Sequence, residues 1–121
     1  MIKRFDRLDI ATTDPADAAA TFEKNFGFAV SRSSSSEPTI KIGDSEIRLR
    51  SGSAVAEVIA TAGEGLAAVW LEAEDLDQMV RALTAAGIAF SGPRLEDGRR
   101  ILEVDYRAAN MVALFIFDRR V

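Results

Sequence analysis

The alternation of apolar and polar residues near the start of the chain predicts a strand that leads into a helix. Residues 5–12 alternate with the period of a strand that has one buried face. Asp14 has the chemistry of a helix N-cap, and Pro15 suits the first helical position because its fixed φ angle matches the helix. Apolar residues then recur at helical spacing as far as Gly27, which suits the end of a helix.

Shorter apolar stretches after this helix predict three further strands. Residues 28–32, 39–42 and 46–50 have strand composition, and a Gly-Asp turn separates the last two. The serines at 33–36 are expected to form a hairpin loop, because they lack the glycines and the following helix of a phosphate-binding loop.

The second half of the chain repeats this order. Residues 66–73 alternate like a strand, Asp75 is a second N-cap, and Gly87 is a second helix stop. The apolar side chains between them form one helical stripe, which we interpret as core: Leu76, Met79, Val80 and Leu83. The remaining strands are predicted at residues 88–91, 100–105 and 111–117.

The spacing of the two halves indicates an internal duplication. The caps Asp14 and Asp75 lie 61 residues apart, and the stops Gly27 and Gly87 lie 60 apart. Agreement of cap, apolar stripe, stop and strands at one spacing is the signature of a repeated unit.

The duplication leads to an α+β fold with two βαβββ modules. The helices are expected on the convex side of a curved mixed sheet, which leaves the concave side open for a ligand. The predicted bounds are one domain over residues 1–121, a first module at about 4–50, a connector at 51–65 with room for a short helix, and a second module at about 66–118.

Strand alternation assigns side chains to the open side of the sheet. The more apolar set of each strand is expected to pack on the helix, so the other set faces the ligand side. The first module then presents charge there, and the second presents aromatic rings. The inward-facing candidates are Arg7, Asp9, Glu46, Arg48 and Arg50 in the first module, and Ala68, Trp70, Glu72, Ala113, Phe115 and Phe117 in the second.

Composition excludes several kinds of site. The sequence has no cysteine, which excludes disulfides, thiolate nucleophiles and zinc–sulfur sites. It has no histidine, the commonest general base near neutral pH and the commonest transition-metal ligand. A formal charge of −4, with basic residues spread evenly, argues against a nucleic-acid partner. The lack of a signal-like start and of a bilayer-length apolar run predicts no membrane partner and a cytoplasmic, bacterial protein.

Three stretches of the sequence carry a family resemblance: DRLDIATTDPADAAATFEKNFGF, GLAAVWLEAEDLDQMVRALTAAGIAF and RRILEVDYRAANMVALFIFD. They resemble the vicinal oxygen chelate superfamily, which includes glyoxalase I, extradiol dioxygenases and the bleomycin-resistance proteins. The resemblance covers residues from about Arg4 to Asp118. It implies the same paired-module fold.

The resemblance also implies where a metal would be held. In metal-dependent relatives each module gives one ligand from its first strand, seven residues before the cap, and one from its last strand. Those positions fall on Arg7 and Arg48 in the first module, and on Ala68 and Phe115 in the second. Arginine stays protonated, and alanine and phenylalanine have no donor atom. We therefore expect no metal ligand and no cofactor.

Two arginines are the sharpest candidates for ligand binding. Arg7 and Arg48 would prefer a carboxylate, phosphate or sulfonate, held by bidentate hydrogen bonds. The alternative is that they form structural salt bridges with Asp9 and Glu46, which share their faces. The two interpretations are compatible if a ligand displaces the carboxylate from an arginine that otherwise forms a salt bridge.

Aromatic residues are the second group of candidates. Trp70, Phe115 and Phe117 could stack on a flat ligand, against the alternative that they are core. Trp70 is the best of the three, because Ala68 and Glu72 flank it in register.

Carboxylates are the third group. Glu72, Glu103 and Asp9 are the plausible acid–base groups, and the alternative is that they are solvated or salt-bridged. A hard cation could be bound by Asp9, Glu46 and Glu72, but the adjacent arginines oppose it.

The resemblance to the metal-free, bleomycin-resistance-like branch implies a homodimer that binds a small organic molecule. We expect an aromatic or anionic ligand, such as an antibiotic, and assign no catalytic residue. One alternative is a cofactor-free isomerase or lyase with Glu72 or Asp9 as its base. Another is a regulatory module that binds no ligand.

Overall fold

The structure is a computed structural model that describes residues 1–32, 37–109 and 112–120. The chain divides into two compact units, which we call the first module (residues 7–67) and the second module (residues 1–6 with the residues from 68 onward). The strands are β1 (Ile2–Ala11), β2 (Val30–Ser31), β3 (Thr39–Ile42), β4 (Ser45–Arg50), β5 (Gly65–Ala73), β6 (Phe90–Glu96), β7 (Arg99–Val104) and β8 (Ala113–Asp118). The helices are α1 (Pro15–Phe26), α2 (Ala56–Ala62) and α3 (Leu76–Ala86).

The first module joins its strands in the order β2-β3-β4-β1. The pairing is mixed, because β4 runs parallel to β1 and antiparallel to β3. Leu8 lies opposite Ile47, and Ile47 lies opposite Ile40, so these apolar side chains share one face. Ile40 and Leu49 are fully buried, which confirms that the apolar set of these strands forms core.

Helix α1 begins and ends where the sequence predicts. The Asp14 side chain accepts a hydrogen bond from the Asp17 backbone N–H at 3.0 Å, which satisfies an amide that the first helical turn leaves open. Gly27 ends the helix in the left-handed conformation, at a φ of 69°. The helix contacts β4, and its Ala19 is fully buried.

The connector contains the expected short helix, which lies on the face opposite to the one predicted to pack on α1. A 3-10 turn at Gly52–Ala54 precedes α2. Val55 packs with Ala11 and Ala67, and α2 adds Val58 and Ile59 to this cluster. Because Ala11 shares its face with Arg7 and Asp9 by strand alternation, α2 covers one end of the charged face.

The second module has the same mixed arrangement. Strand β5 pairs with β8 in parallel, and β7 pairs with both β8 and β6 in antiparallel orientation. Its helix α3 packs on the apolar face of these strands. The core there includes Ala73, Leu76, Met79, Leu83, Leu102, Val104 and Ile116, with Val80 and Leu114 packed against it. The predicted apolar stripe of this helix is therefore confirmed as core.

A buried ion pair fastens the start of α3 to the end of β8. Asp118 is 1% exposed and accepts a hydrogen bond from the Leu76 backbone N–H at 2.7 Å. Arg100 donates to both Asp118 oxygens, at 2.9 and 2.6 Å. Burial opposes ionisation of Asp118, but the hydrogen bonds from Arg100, Leu76 and Arg120 hold its pKa below the usual value.

Several predicted bounds need correction. Strand β1 begins at Ile2 instead of residue 5, and β6 covers Phe90–Glu96 instead of residues 88–91. The extra length of β6 is almost fully exposed, so the burial pattern that guided the prediction does not operate there. The predicted loop at 33–36 and the predicted strand start at Met111 lie outside the described residues.

The α+β class, the two βαβββ modules and their mixed strand pairing agree with the prediction. Among the described residues, the structure has no helix that is both long and apolar enough to cross a membrane. The assignment of the whole chain to one domain stays a prediction.

Candidate functional site

Asp9 and Arg48 form the centre of a charged cluster in the first module. They are direct neighbours in the parallel register of β1 and β4. Arg48 donates through Nε and Nη2 to the two Asp9 oxygens, both at 2.9 Å, in a bidentate pair. The Asp9 side chain is 3% exposed and that of Arg48 is 23% exposed, so the pair lies at the floor of an accessible surface.

Two more arginines approach the same carboxylate. Arg7 Nε lies 3.8 Å from Asp9 Oδ1, and Arg50 Nη1 lies 3.9 Å from Asp9 Oδ2. We call Arg7, Arg48 and Arg50 the arginine cluster. Three guanidinium groups therefore share one buried negative charge, and further anions are needed to balance them.

Two outer carboxylates supply that balance. Glu46 lies 4.0 Å from Arg7 and 3.7 Å from Lys41. Glu37 accepts from Arg50 Nε at 3.1 Å and from the Ser51 backbone N–H at 3.2 Å. The side chains of Glu46 and Glu37 are 26% and 29% exposed, so both are within reach of solvent.

Glu37 is the member of this site that sequence reasoning missed. Thr39 lies opposite Arg48 in the antiparallel β3–β4 pair, and the same register continued outward brings Glu37 opposite Arg50. The Leu49 backbone N–H donates to the Pro38 carbonyl at 3.0 Å, which fixes this continuation. Counting outward from the Gly43-Asp44 turn would have found the pair.

A depression of about 650 Å³ opens beside the arginine cluster. Strand residues Glu37, Thr39, Glu46, Arg48 and Arg50 form part of its lining, and Ser51, Gly52, Ser53 and Ala54 form the rest. The 3-10 turn therefore forms a wall on the charged face. The depression is large enough for a small organic molecule.

The second module has aromatic rings where the first has charge. Trp70 and Phe115 are neighbours in the β5–β8 register, and their rings stack with centroids 4.3 Å apart. Phe117 meets Trp70 edge-on at 6.4 Å. Trp70 is 7% exposed and Phe117 is fully buried, whereas Phe115 is half-buried. We call these three residues the aromatic cluster.

Glu72 lies in the same module and is 5% exposed. Its carboxylate accepts from Arg4 Nε at 2.9 Å, and Lys3 and Arg119 each lie 3.8 Å away. Burial lowers the pKa of Arg4, but Asp6 and Glu72 outweigh it and raise that pKa above its usual value. Like Asp9, Glu72 is one carboxylate that several cations share.

The four positions that the family would use for a metal do not fit one. The guanidinium of Arg48 is engaged with Asp9, and the ring of Phe115 is stacked on Trp70. Arg7 is a cation, and Ala68 has no donor atom. Within residues 1–32, 37–109 and 112–120, no group of three or more His, Cys, Asp or Glu residues is placed to hold a metal ion. That finding also removes the all-carboxylate cation site as a candidate within these residues.

The structure thus brings the predicted residues together in two sets. Arg7, Asp9, Glu46 and Arg48 meet in the first module, joined by ion pairs. Trp70, Phe115 and Phe117 meet in the second, with Glu72 tied to the strand residue Arg4. The predicted salt bridges of Arg7 and Arg48 with Asp9 and Glu46 are present, and a ligand-binding role for any of the eight stays a prediction.

Solved structures of similar fold cover almost the whole chain. Methylmalonyl-CoA epimerase from Mycobacterium tuberculosis matches with a TM-score of 0.78 at 18% identity, over 99% of this chain and 90% of that one. A variant of the Streptomyces coelicolor methylmalonyl-CoA epimerase in complex with 2-nitronate-propionyl-CoA matches with 0.75 at 20% identity, over 100% and 97%. A hypothetical protein from Bacillus halodurans C-125 matches with 0.76 at 17% identity, over 98% and 95%. At these identities the likeness shows the fold.

A comparison with curated proteins gave no match. The sequence profile that does match is described as the Glyoxalase/Bleomycin resistance protein/Dioxygenase superfamily, and it covers residues 4–101. That range includes both helices with aspartate caps, most of β1, all of β2 to β6 and the start of β7. The chain therefore belongs to the Glyoxalase/Bleomycin resistance protein/Dioxygenase superfamily.

Proposed function

We propose that this chain is a metal-independent binding protein for a small organic ligand that is anionic or aromatic. The observation that carries the proposal is the arginine cluster, in which three guanidinium groups share the buried carboxylate of Asp9 beside a depression of about 650 Å³. A carboxylate, phosphate or sulfonate would be held there by charge-assisted hydrogen bonds.

The charges of the cluster explain how an anion would enter. Asp9 is buried and accepts two short hydrogen bonds from Arg48, so this ion pair would stay intact when a ligand binds. Glu37 and Glu46 are more exposed, and their contacts with Arg50 and Arg7 are longer. A ligand carboxylate would take the place of one outer glutamate at its arginine and keep the local charge balanced.

The second module offers a separate contact for an aromatic ligand. Phe115 is half-buried and stacked on Trp70, so a flat group can contact a ring that is already held in place. Trp70 and Phe117 are too buried to offer an open face and act as support. An aromatic antibiotic has the chemistry for this contact, as in a bleomycin-resistance-like role.

The test is a thermal-shift and calorimetric titration with benzoate, phenylacetate, malonate and phenyl phosphate, on protein treated with a chelator. A ligand that binds the native state raises the melting temperature by mass action. Arg48→Lys keeps the charge but loses the bidentate fork, and we expect it to weaken binding about tenfold or more. Arg50→Gln removes the second guanidinium and should act in the same direction.

Arg81→Gln is the matched control, because Arg81 is exposed on α3 and has no carboxylate within 4.0 Å in the described part of the chain. Unchanged affinity in Arg48→Lys and Arg50→Gln would show that the arginine cluster is structural. Stoichiometric zinc, iron or manganese in the purified protein would contradict the metal-independent reading.

The alternative is a cofactor-free isomerase or lyase that uses a carboxylate base. It is favoured by the partly exposed Glu37 carboxylate in the lining of the depression, which is paired with one arginine, more than by Asp9 or Glu72, which are buried and shared by several cations. Proton abstraction next to a carbonyl would exchange that proton with solvent. Incubation with methylmalonyl-CoA in D₂O, read by mass spectrometry, tests it, and Glu37→Gln should abolish any exchange.

We also propose a homodimer in the cytoplasm of a bacterium, as the resemblance and the composition imply. Light scattering coupled to gel filtration measures the mass directly. A mass of about 26 kDa, twice the 13.1 kDa chain, is the expected result. A mass of one chain at all concentrations would contradict the dimer.

A further inference from the structure

One half-buried arginine of the second module differs from every other cation that the structure describes. Arg99, in β7, has its guanidinium 5.0 Å from the centroid of the Phe117 ring and 5.5 Å from that of Trp70. Within residues 1–32, 37–109 and 112–120 it has no carboxylate within 4.0 Å, and the other two basic residues of that kind, Arg81 and Lys24, are exposed.

The other arginines that contact rings in this module do have carboxylates. Arg94 lies over Phe115 at 6.0 Å and pairs with Glu96 at 3.3 Å. Arg119 lies over Phe117 at 5.5 Å, and its nearest carboxylate is Glu72 at 3.8 Å. Within the described part of the chain, Arg99 is therefore held by ring faces alone, which leaves the N–H donors at the edge of its guanidinium plane for another acceptor.

The charge around Arg99 is positive although the whole chain carries −4. Arg99 and Arg119 contact the same ring, and Arg119 shares Glu72 with Lys3 and Arg4. Asp6 is the other carboxylate of this group, bound to Arg4 at 2.6 Å. Glu96 lies opposite Arg99 in the β6–β7 register but is bound to Arg94 at 3.3 Å. Five cations thus face three carboxylates, none of which lies within 4.0 Å of Arg99, and this surplus of positive charge favours an added anion.

We propose that Arg99, held over Trp70 and Phe117, binds the phosphate or carboxylate group of a small organic anion. The rings fix the plane of the guanidinium, so little side-chain entropy is lost when the anion binds. Arg119, on the same ring, adds a second positive charge. This anion site belongs to the second module and uses none of the arginine cluster.

The single tryptophan of the chain makes the site observable. Because the guanidinium of Arg99 lies against the Trp70 ring, an anion that binds this guanidinium should change the fluorescence of Trp70. Phenyl phosphate is the probe, titrated at constant ionic strength with sodium chloride as the reference salt. A saturable change at millimolar phenyl phosphate or below is the expected result.

Two variants separate Arg99 from general charge. Arg99→Gln should raise the dissociation constant for phenyl phosphate at least tenfold, since it removes charge-assisted hydrogen bonds. Arg81→Gln removes one positive charge from an exposed position and should leave the constant unchanged. No saturable response in the unaltered protein, or equal affinity in Arg99→Gln, would overturn the proposal.

Phenylglyoxal labelling of the unaltered protein tests the same site without a variant. Peptide mass spectrometry follows each arginine, and phenyl phosphate should slow the labelling of Arg99 while Arg81 reacts at the same rate. Equal labelling of Arg99 with and without phenyl phosphate would overturn the proposal. Protection of Arg48 or Arg50 is a separate readout, so the first-module site can fail or stand independently.

Discussion

The two modules put opposite chemistry at equivalent positions. In the first module, Asp9 lies opposite Arg48 and the two form a bidentate ion pair. In the second module, Trp70 lies 61 residues after Asp9, lies opposite Phe115, and forms a ring stack with it. The same register, with the same strand pairing, thus supports a charged centre in one copy and an apolar centre in the other.

This difference separates what the fold requires from what a site requires. The caps, the helix stops and the strand order are the same in both modules, because each helix must begin, end and cover its strands. The face away from α1 or α3 has no such constraint, since it does not pack on the capped helix of its module. Its residues differ between the modules, and under the proposed function they would determine ligand specificity.

The largest expected effect of a single substitution on stability is at Asp9. Asp9→Ala leaves Arg7, Arg48 and Arg50 without their shared carboxylate, so the three cations repel one another in a partly buried place. We expect the free energy of unfolding to fall by about 3–5 kcal/mol, measured by urea denaturation. Glu57→Ala, which removes an exposed carboxylate from α2, should change it by less than about 0.5 kcal/mol. Equal losses in the two variants would show that the cluster does not stabilise the fold.

Loss of a ring from the aromatic cluster should lower the stability of the fold. Trp70→Leu removes the stack with Phe115 and the edge contact with Phe117, and we expect a loss of about 2 kcal/mol in the free energy of unfolding. Trp70→Phe keeps a ring and should lose less. If both substitutions cost the same, ring stacking adds nothing beyond buried area.

The two modules should also differ in how their stability depends on pH. Burial raises the pKa of Asp118, but hydrogen bonds from Arg100 and two backbone amides outweigh it and lower that pKa in the folded protein. The stabilising contribution of Asp118 is therefore present above the unfolded pKa of about 4 and is lost as pH falls below it. Ser51 holds the equivalent position in the first module and cannot titrate in this way. We expect Asp118→Asn to flatten the fall in melting temperature below about pH 4, by a few degrees.

The outcome that would contradict this assignment is a fall in melting temperature with the same steepness in Asp118→Asn and in the unaltered protein. Circular dichroism melts at a series of pH values give the comparison. Ser51→Ala is the control, and it should leave the pH dependence unchanged because its side chain carries no charge.

The smallest expected difference between the modules is at the ends of their helices. Gly27 and Gly87 both end their helices with positive φ, at 69° and 71°, and a Cβ at either would meet no atom within 4 Å. An alanine at either position would cost about 1–2 kcal/mol, because its backbone is forced into the left-handed region. A clear difference between Gly27→Ala and Gly87→Ala would show that the two helix ends are not equivalent.

The helices and the buried strand faces could be predicted from the sequence, whereas exposed parts of the strands could not. Asp14, Asp75, Gly27 and Gly87 placed both helices correctly, because capping is a local property of a few residues. Strand alternation also placed Trp70 and Phe115 on one face. The exposed extension of β6 could not be predicted, since exposed strand residues show no burial pattern.

The site itself was only partly predictable. Strand parity placed Asp9 and Arg48 on one face, but the choice between ion pair and ligand site depended on distances that the sequence does not contain. Arg99 was missed because its partners are rings on other strands, and no spacing along the chain indicates such a contact. Glu37 was within reach of a register count, as its pairing with Arg50 shows.

The most direct test of anion binding at the arginine cluster is a crystal structure of the metal-free protein with the acid, among those titrated above, that raises the melting temperature most. We expect the anionic group to lie within hydrogen-bonding distance of the Arg48 or Arg50 guanidinium, with the Asp9–Arg48 pair intact. Binding only at places other than the arginine cluster, or through a metal ion, would contradict the proposed function.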